Sequence, residues 1–180
     1  MNKSIIISGS GGQGVLSIGT ILANIFMLND LHVTLCSSYG AEMRGGAVNC
    51  QINVSNNEIN EIQNNKVDYV IALNQTSLNK FISRVKSEGT IIINSSLAKV
   101  KELKEDIKYI FLPFTQQANS LGNIKMANSI ALGTLSKLLG GFNEEKIKNA
   151  YQKVLSNKIE LIENNIKAYN LGFNSLQEGK

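Results

Sequence analysis

Short runs of β-branched and aliphatic residues recur along the chain and predict strands. The first run covers residues 4–8 as Ser-Ile-Ile-Ile-Ser, a pattern typical of a strand buried on both faces of a sheet. Residues 48–54 instead alternate between apolar and polar side chains. Further runs predict strands at residues 33–36, 69–73, 90–94 and 109–112. Pro113 is expected to end the last of them.

Apolar residues at helical spacing predict helices between these strands. From residue 15 to about residue 29 the predicted helix is apolar almost all round, so we expect protein to cover it. A short helix is expected at residues 77–86, after an exposed polar connection at residues 55–66. The alternation of strands and helices predicts an α/β, Rossmann-like three-layer domain with a mainly parallel sheet, spanning residues 1–180 as one domain.

The last third of the sequence is expected to be helical. One helix should run over residues 124–139 and stop at two glycines. Asn143 is a good N-cap for the next helix, and acidic residues follow it in the first turn. Its apolar stripe continues through Ile159, Ile162 and Ile166, which predicts an outer amphipathic helix or helix pair.

Composition narrows the class of protein. Only 18% of the 180 residues are charged, the net charge is +4, and aromatic residues make up 6% with no Trp. Scattered lysines without stacking aromatics argue against a nucleic-acid partner. No apolar run approaches the ~20 residues of a membrane span, and the two cysteines, Cys36 and Cys50, form no CxxC pair. We therefore expect a cytoplasmic protein without a membrane or metal site of its own.

A glycine-rich turn follows the first predicted strand. Gly9, Gly11 and Gly14 have the spacing that allows a tight turn, close approach of a ligand to the backbone, and close packing of the helix on the strand. Free N–H groups at the helix start favour a phosphate or another anion. The alternative is a tight strand–helix turn without a ligand.

The glycine spacing is also typical of a dinucleotide site, and the residues at the end of the second predicted strand bear on that hypothesis. An NAD site places an acidic residue there, but this chain has Cys36, Ser37 and Ser38, which disfavours NAD. An NADP site accepts a serine with a nearby arginine, so Ser37 and Arg44 keep that alternative open.

The loop around Arg44 concentrates the charge of a nearly neutral region. Lys3, Asp30, Glu42 and Arg44 are the only formal charges in residues 1–57. Arg44 is one of two arginines in a chain that otherwise uses lysine, which suggests bidentate contact with carboxylate or phosphate. A salt bridge to Glu42 or a simple turn is the alternative. We infer that this half of the chain meets a ligand or another subunit.

No catalytic set is visible in the sequence. The single histidine, His32, stands at a predicted helix–strand junction, and the two cysteines are expected to be buried free thiols. The acidic residues do not form an acid–base pair, so any chemistry is expected on another chain.

Four segments, taken in order, resemble the gamma subunit of the 2-oxoacid:ferredoxin oxidoreductases, including the similar small subunit of the indolepyruvate enzyme. The resemblance spans about residues 3–155, and its first two segments are the specific ones. The segments are Gly9-Ser10-Gly11-Gly12-Gln13-Gly14-Val15, Ser38-Tyr39-Gly40-Ala41-Glu42-Met43-Arg44-Gly45-Gly46, Asp68-Tyr69-Val70-Ile71-Ala72-Leu73, and Asn128 with Leu132-Gly133.

The resemblance implies a multi-subunit enzyme that oxidatively decarboxylates a 2-oxoacid and passes electrons to ferredoxin. Thiamine diphosphate with Mg²⁺ is then expected on alpha and beta subunits, and iron–sulfur clusters on beta or on a ferredoxin-like delta subunit. The gamma chain is implied to hold no tightly bound cofactor and no catalytic residue, but to help form the coenzyme A site. Its implied cofactor-binding residues are Gly9, Gly11, Gly12, Gln13, Gly14, Ser38, Tyr39, Glu42, Arg44, Gly45, Gly46 and Asn128.

The chain departs from the family pattern at two places after the Arg44 loop. Many relatives carry an arginine before a serine where this chain has Asn53-Val54-Ser55, and a common proline is absent near Glu61-Ile62-Gln63. Two other functions stay open from the residues alone. They are a stand-alone NADP-dependent reductase and a regulatory module that senses a nucleotide or phosphate.

Overall fold

The computed structural model describes residues 1–39, 47–156 and 158–176 of the chain. Six strands form one sheet in the order β2-β3-β1-β4-β5-β6. The strands are β1 (Asn2–Ser10), β2 (His32–Tyr39), β3 (Ala47–Ser55), β4 (Val67–Ala72), β5 (Val85–Asn94) and β6 (Lys108–Leu112). The helices are α1 (Val15–Met27), α2 (Gln75–Phe81), α3 (Phe114–Ser120), α4 (Ala127–Leu138), α5 (Glu144–Val154) and α6 (Ile162–Asn174).

The sheet is mainly parallel, as predicted, because β1, β4, β5 and β6 are parallel neighbours. β3 is antiparallel to both β1 and β2. β2 therefore runs in the direction of β1 but lies one strand away from it. The predicted strand–helix–strand opening is present, with β3 inserted between its two strands.

Helices cover the sheet in two further layers, which confirms the three-layer prediction. Ile5, Ile7 and Ile52 belong to a buried cluster that α1 and the C-terminal helices share. The neighbouring positions in the strands point the other way, so Ile6 joins a second cluster with Phe81 of α2. This alternation explains why the central strands read as continuous apolar runs.

Two element boundaries differ from the sequence prediction. The helix expected over residues 77–86 ends at Phe81, and a 3-10 turn leads into β5 at Val85. Val85 is buried and pairs with Val67, so tertiary pairing ends the helix early. The helix expected from residue 124 begins as a 3-10 turn and becomes α-helical at Ala127.

One helix, α3, was not predicted. Its middle is polar, and only Phe114 and Ala118 are buried, one turn apart. Two apolar positions in seven residues are too few to produce a periodic signal.

The C-terminal helices are packed more deeply than an outer pair. Asn143 caps α5 as predicted, because its side chain accepts hydrogen bonds from the amides of Glu145 and Lys146. α6, in contrast, lies against α4, and its Tyr169 is buried with its hydroxyl donating to Ser136 Oγ. The predicted stripe position Ile159 is exposed, since it precedes α6 in a short 3-10 turn.

Among the described residues, no helix is both long enough and apolar enough to cross a membrane.

Candidate functional site

The carboxyl ends of β1, β2, β4, β5 and β6 lie along one side of the sheet, the carboxyl edge. The connection that leaves β1 leads toward β2, whereas the connection that leaves β4 leads toward β5. A crevice opens where neighbouring parallel strands send their connections in opposite directions, and such crevices bind ligands in open α/β sheets. The glycine turn after β1 lies at this point.

The glycine turn is held to the end of β4 by side-chain amides. Gln13 Oε1 accepts a hydrogen bond from the Ser10 amide at 2.7 Å, and Gln13 Nε2 donates to the Leu73 carbonyl at 3.4 Å. Asn74 Nδ2 donates to Ser10 Oγ at 2.7 Å and to Gln13 Oε1 at 2.9 Å. A Cβ on Gly9 would lie only 2.8 Å from Gln13 Oε1, so Gly9 makes room for this brace.

Gly14 and Asn128 join the turn to α4. Gly14 has a φ of 69°, which is the left-handed region, and it stands at the N-cap of α1. A Cβ on Gly14 would overlap with Asn128 Nδ2, which lies 3.5 Å from the Gly14 carbonyl oxygen. The structure thus brings together two predicted site residues that are 114 positions apart.

The outer part of the turn is open. Gly11 and Gly12 are exposed, and a Cβ on either residue would have no heavy atom of the described chain within 4 Å. The backbone at these two residues is therefore accessible to a ligand or to another protein. This is the freedom that the glycine spacing predicts.

A crevice of about 130 Å³ lies beside the turn. Asn94 closes its inner end, because Asn94 Nδ2 donates to the Leu73 carbonyl at 3.1 Å and to Thr115 Oγ1 at 2.9 Å. Leu97 and Ile124 are exposed at its mouth. The lining residues are Gly12, Gln13, Leu73, Asn94, Leu97, Thr115, Ile124, Lys125, Ala127 and Asn128.

Sequence reasoning missed most of this lining, although part of the signal was present. Asn94 ends an isoleucine run, and Asn74 follows β4 after one intervening residue. An amide at the carboxyl end of a buried parallel strand points to the edge where such folds bind ligands. Thr115, Lys125 and Ile124 carried no such signal, because only the tertiary fold brings α3 and α4 to this edge.

Ser38 and Tyr39 end β2 at the same edge of the sheet as the glycine turn. Val48 pairs with Gly9 on one side and with Tyr39 on the other, so these residues form one row across three strands. Ser38 is exposed. The predicted residues Glu42, Arg44, Gly45 and Gly46 lie outside the described residues.

The strand order argues against a dinucleotide site of the NADP type. Such a site needs the end of β2 beside the glycine turn of β1. Here β3 separates the two strands, which places the backbone of Ser37 two strand spacings, about 10 Å, from β1.

The two cysteines differ in their surroundings. Cys50 is buried between β3 and α1. This burial raises the pKa of its thiol to about 12, so the thiol stays protonated at neutral pH. Cys36 is only half-buried, which corrects the prediction for this residue, and its sulfur accepts a hydrogen bond from Gln63 Nε2 at 2.9 Å. His32, the first residue of β2, is exposed.

The amino edge of the sheet, where β4 and β5 begin, is charged. Asp68 forms an ion pair with Lys86 at 3.1 Å and accepts a hydrogen bond from the Ser4 amide at 2.7 Å. Partial burial by itself raises the pKa of Asp68, but the hydrogen bonds from Ser4 and Lys86 outweigh it and lower the pKa below its ordinary value.

The connection between β3 and β4, which contains Glu61-Ile62-Gln63, is fixed by two side chains. Asn53 Nδ2 donates to the Ile62 carbonyl at 2.8 Å and to the Glu61 carbonyl at 3.2 Å. Arg84 Nε donates to the Asn65 carbonyl at 2.5 Å. Asn53 and Arg84 therefore have a structural role in holding the connection between β3 and β4.

Curated relatives share this chain's sequence along most of its length. The 2-oxoglutarate synthase subunit KorC of Archaeoglobus fulgidus is 35% identical over 171 residues, covering 94% of this chain and 86% of the relative. The ketoisovalerate oxidoreductase subunit VorA of Methanothermobacter marburgensis is 31% identical over 167 residues, covering 92% of this chain. This chain spans about a third of VorA, 35% of its length.

Solved structures share the fold. The gamma subunit of a keto/oxoacid ferredoxin oxidoreductase from Geobacter sulfurreducens superposes with a TM-score of 0.79 at 28% identity, with 96% of each chain covered. The 2-oxoglutarate:ferredoxin oxidoreductase of Magnetococcus marinus, solved with 2-oxoglutarate, coenzyme A and succinyl-CoA bound, superposes with a TM-score of 0.86 at 22% identity. That match covers 99% of this chain and 32% of the other.

The family comparison agrees with the resemblance that the motifs indicated. Residues 4–175 match the family model described as pyruvate ferredoxin/flavodoxin oxidoreductase. The match covers the glycine turn, Asn128 and the helical third. The chain therefore belongs to the pyruvate ferredoxin/flavodoxin oxidoreductase family, as the gamma-type chain of a multi-subunit 2-oxoacid:ferredoxin oxidoreductase.

Proposed function

We propose that this chain assembles with alpha and beta subunits in the cytoplasm and contributes its open glycine turn and adjoining crevice to the coenzyme A site of the assembled enzyme. The reaction is the oxidative decarboxylation of a 2-oxoacid to an acyl-CoA, with electrons passing to ferredoxin. Selection of the 2-oxoacid and the decarboxylation itself belong to the partner subunits in this proposal. A ferredoxin-like delta subunit is a further proposed partner.

The observation that carries the proposal is the open turn at the strand-switch crevice. Gly11 and Gly12 leave the backbone accessible, and Lys125 adds a positive charge to the crevice lining. Backbone amides at a helix start together with a cation suit the phosphate groups of coenzyme A. The apolar mouth at Leu97 and Ile124 suits the uncharged arm of the same molecule.

The donor set of this chain supports the proposed placement of the electron-transfer groups on partner subunits. An iron–sulfur cluster of the ferredoxin type takes four cysteine thiolates, and this sequence contains two cysteines. Within residues 1–39, 47–156 and 158–176, no three His, Cys, Asp or Glu side chains are grouped to hold a metal ion. Both cysteines are free thiols, which fits a reducing compartment.

The first experiment tests assembly. We expect the chain to co-purify with co-expressed alpha and beta subunits, and the complex to reduce a viologen dye when given a 2-oxoacid and coenzyme A. Viologen reduction by the isolated chain would contradict the proposal, because it would place the chemistry here. Failure of the chain to join the complex would contradict the proposed assembly.

The second experiment tests the turn. Gly11→Leu should leave the fold intact, since the added side chain meets open space, but it should block approach to the turn. We expect a KM for coenzyme A at least about tenfold higher, a loss of about 1.4 kcal/mol, with kcat changed less. Ser87→Leu, on an exposed residue at the opposite edge of the sheet, is the matched control. Unchanged kinetics in Gly11→Leu would contradict the proposed contact between coenzyme A and the turn.

Loss of assembly in the Gly11→Leu variant has a separate meaning. It would show that the turn contacts a partner subunit rather than coenzyme A.

Calorimetry with NADPH checks the stand-alone reductase, which requires micromolar binding to the isolated chain. We expect no heat of binding.

A further inference from the structure

The two edge strands of the sheet differ in how they are protected. β6 has five residues, begins with Lys108 and is followed by Pro113, which has no amide hydrogen to donate. Short length, lysine and proline are devices that keep an edge strand from pairing with another chain. β2, at the other edge, has eight residues and none of these devices.

β2 is a regular strand with an unpaired side. Its pairing with β3 runs without a register shift from His32 opposite Ser55 to Tyr39 opposite Val48. No further strand of the described sheet lies beyond β2. Alternate backbone N–H and C=O groups of β2 therefore face outward in the geometry of a strand that accepts another.

The side chains along this edge are uncharged and partly apolar. β2 contains no Asp, Glu, Lys or Arg. Leu35 is 41% exposed although its Cδ1 lies against Gly19 on the α1 side of the sheet. Met27 and Leu28 at the end of α1 are also exposed, and α1 packs on β2. Exposed apolar side chains on an unpaired strand and on the helix that packs on it indicate a surface that another protein covers.

We propose that β2 pairs antiparallel with β2 of a second copy of this chain, about a two-fold axis at Leu35, to form a continuous sheet of two protomers. The strand is complementary to itself, because the symmetric pairing places no like charges opposite one another. It sets Leu35 against Leu35 of the second copy, and Thr34 against Cys36. The pairing covers the exposed part of Leu35, since directly opposite side chains lie about 5 Å apart. This inference goes beyond the proposed function and is tested on the full chain alone.

The experiment measures the mass of the full chain in solution by sedimentation equilibrium over a range of concentrations. We expect a dimer of twice the 19.6 kDa chain mass. Leu35→Lys places two lysines opposite each other at the axis and should weaken dimerisation at least about tenfold, or about 1.4 kcal/mol. Leu35→Glu should act in the same way. An equimolar mixture of the two variants should restore the dimer, because a lysine then faces a glutamate.

Phe111→Lys is the matched control, since Phe111 lies on the other edge strand and is 44% exposed. It should leave the dimer intact. Thermal unfolding of each variant separates loss of pairing from loss of the fold. A wild-type chain that is monomeric at all concentrations would overturn the proposal, as would a dimer that resists Leu35→Lys. Amide protection of β2 that arises only after alpha and beta chains are added would also overturn it, because the strand on β2 would then come from a partner subunit.

Discussion

Gly133 and Gly172 are buried where α4 crosses α6, whereas Gly11 and Gly12 are exposed at the turn after β1. A Cβ on Gly133 would overlap with the Tyr169 carbonyl, and a Cβ on Gly172 with the Ile130 carbonyl. At the turn, the same added atom meets nothing. Glycine thus serves close helix packing in one region and an accessible backbone in the other, and the surrounding atoms distinguish the two uses.

This difference has a consequence for function. The α4–α6 contact needs its glycines for the fold, so substitutions there affect stability before they affect activity. The turn keeps Gly11 although the fold has room for a side chain there, whereas Gly12 is equally open but has a left-handed φ of 87° that favours glycine. Open space above a glycine-rich turn at the strand-switch crevice is therefore the feature on which the proposed coenzyme A site rests.

The largest expected effect comes from Gly133→Ala. The new methyl group meets backbone rather than a movable side chain, so α4 and α6 must separate. We expect the free energy of unfolding to fall by about 3 kcal/mol, measured by urea denaturation. Gly11→Ala, the matched variant in the open turn, should change it by less than about 0.5 kcal/mol. Equal losses in the two variants would contradict the distinction between the two kinds of glycine.

Gly14→Ala is expected to have an intermediate effect. The left-handed backbone at Gly14 costs about 1–2 kcal/mol for alanine, and overlap with Asn128 adds to this cost. The double variant Gly14→Ala with Asn128→Ala should recover the stability lost to the overlap, but not the stability lost to the left-handed backbone. Unfolding energies of the single and double variants separate the two contributions. No recovery in the double variant would show that Asn128 is not what Gly14 accommodates.

Gln13→Ala tests the brace between the turn and β4. It removes the acceptor of the Ser10 amide and of Asn74 Nδ2, so we expect a loss of about 1–2 kcal/mol. Hydrogen exchange should accelerate at the Ser10 amide while α4 and α6 stay protected. Gln152→Ala, on an exposed glutamine of α5, is the control. Faster exchange throughout the molecule would contradict a local brace.

The smallest effect is expected from a change of pH at the amino edge of the sheet, where Asp68 pairs with Lys86. The folded state lowers the pKa of Asp68, so this carboxylate stabilises the fold above its ordinary pKa of 3.8 and loses that contribution as the pH falls through the lowered value. Asp68→Asn should cost about 1 kcal/mol or less at neutral pH, and the difference from wild type should shrink toward pH 3. Denaturation at several pH values measures this. A difference that grows in acid would contradict the sign of the shift.

Local patterning predicted much of the fold. The apolar runs located the strands, Gly9 to Gly14 marked the turn, and Asn143 marked the start of α5. The pattern failed at α3, which buries only two residues, and at residue 85, where pairing with Val67 replaced the helix. It also failed for α6, because its burial depends on Gly133 in another helix.

The sequence by itself determined the buried strands, the glycine turn and the low charge of the first third, since each of these is a property of neighbouring residues. Only the tertiary structure decided that β3 lies between β1 and β2, that Asn128 reaches Gly14, and that β2 is left at an unprotected edge. These features depend on contacts between residues far apart in the chain. Strand pairing is made by backbone groups that all residues except proline carry alike, so the side-chain pattern does not reveal which strands become neighbours.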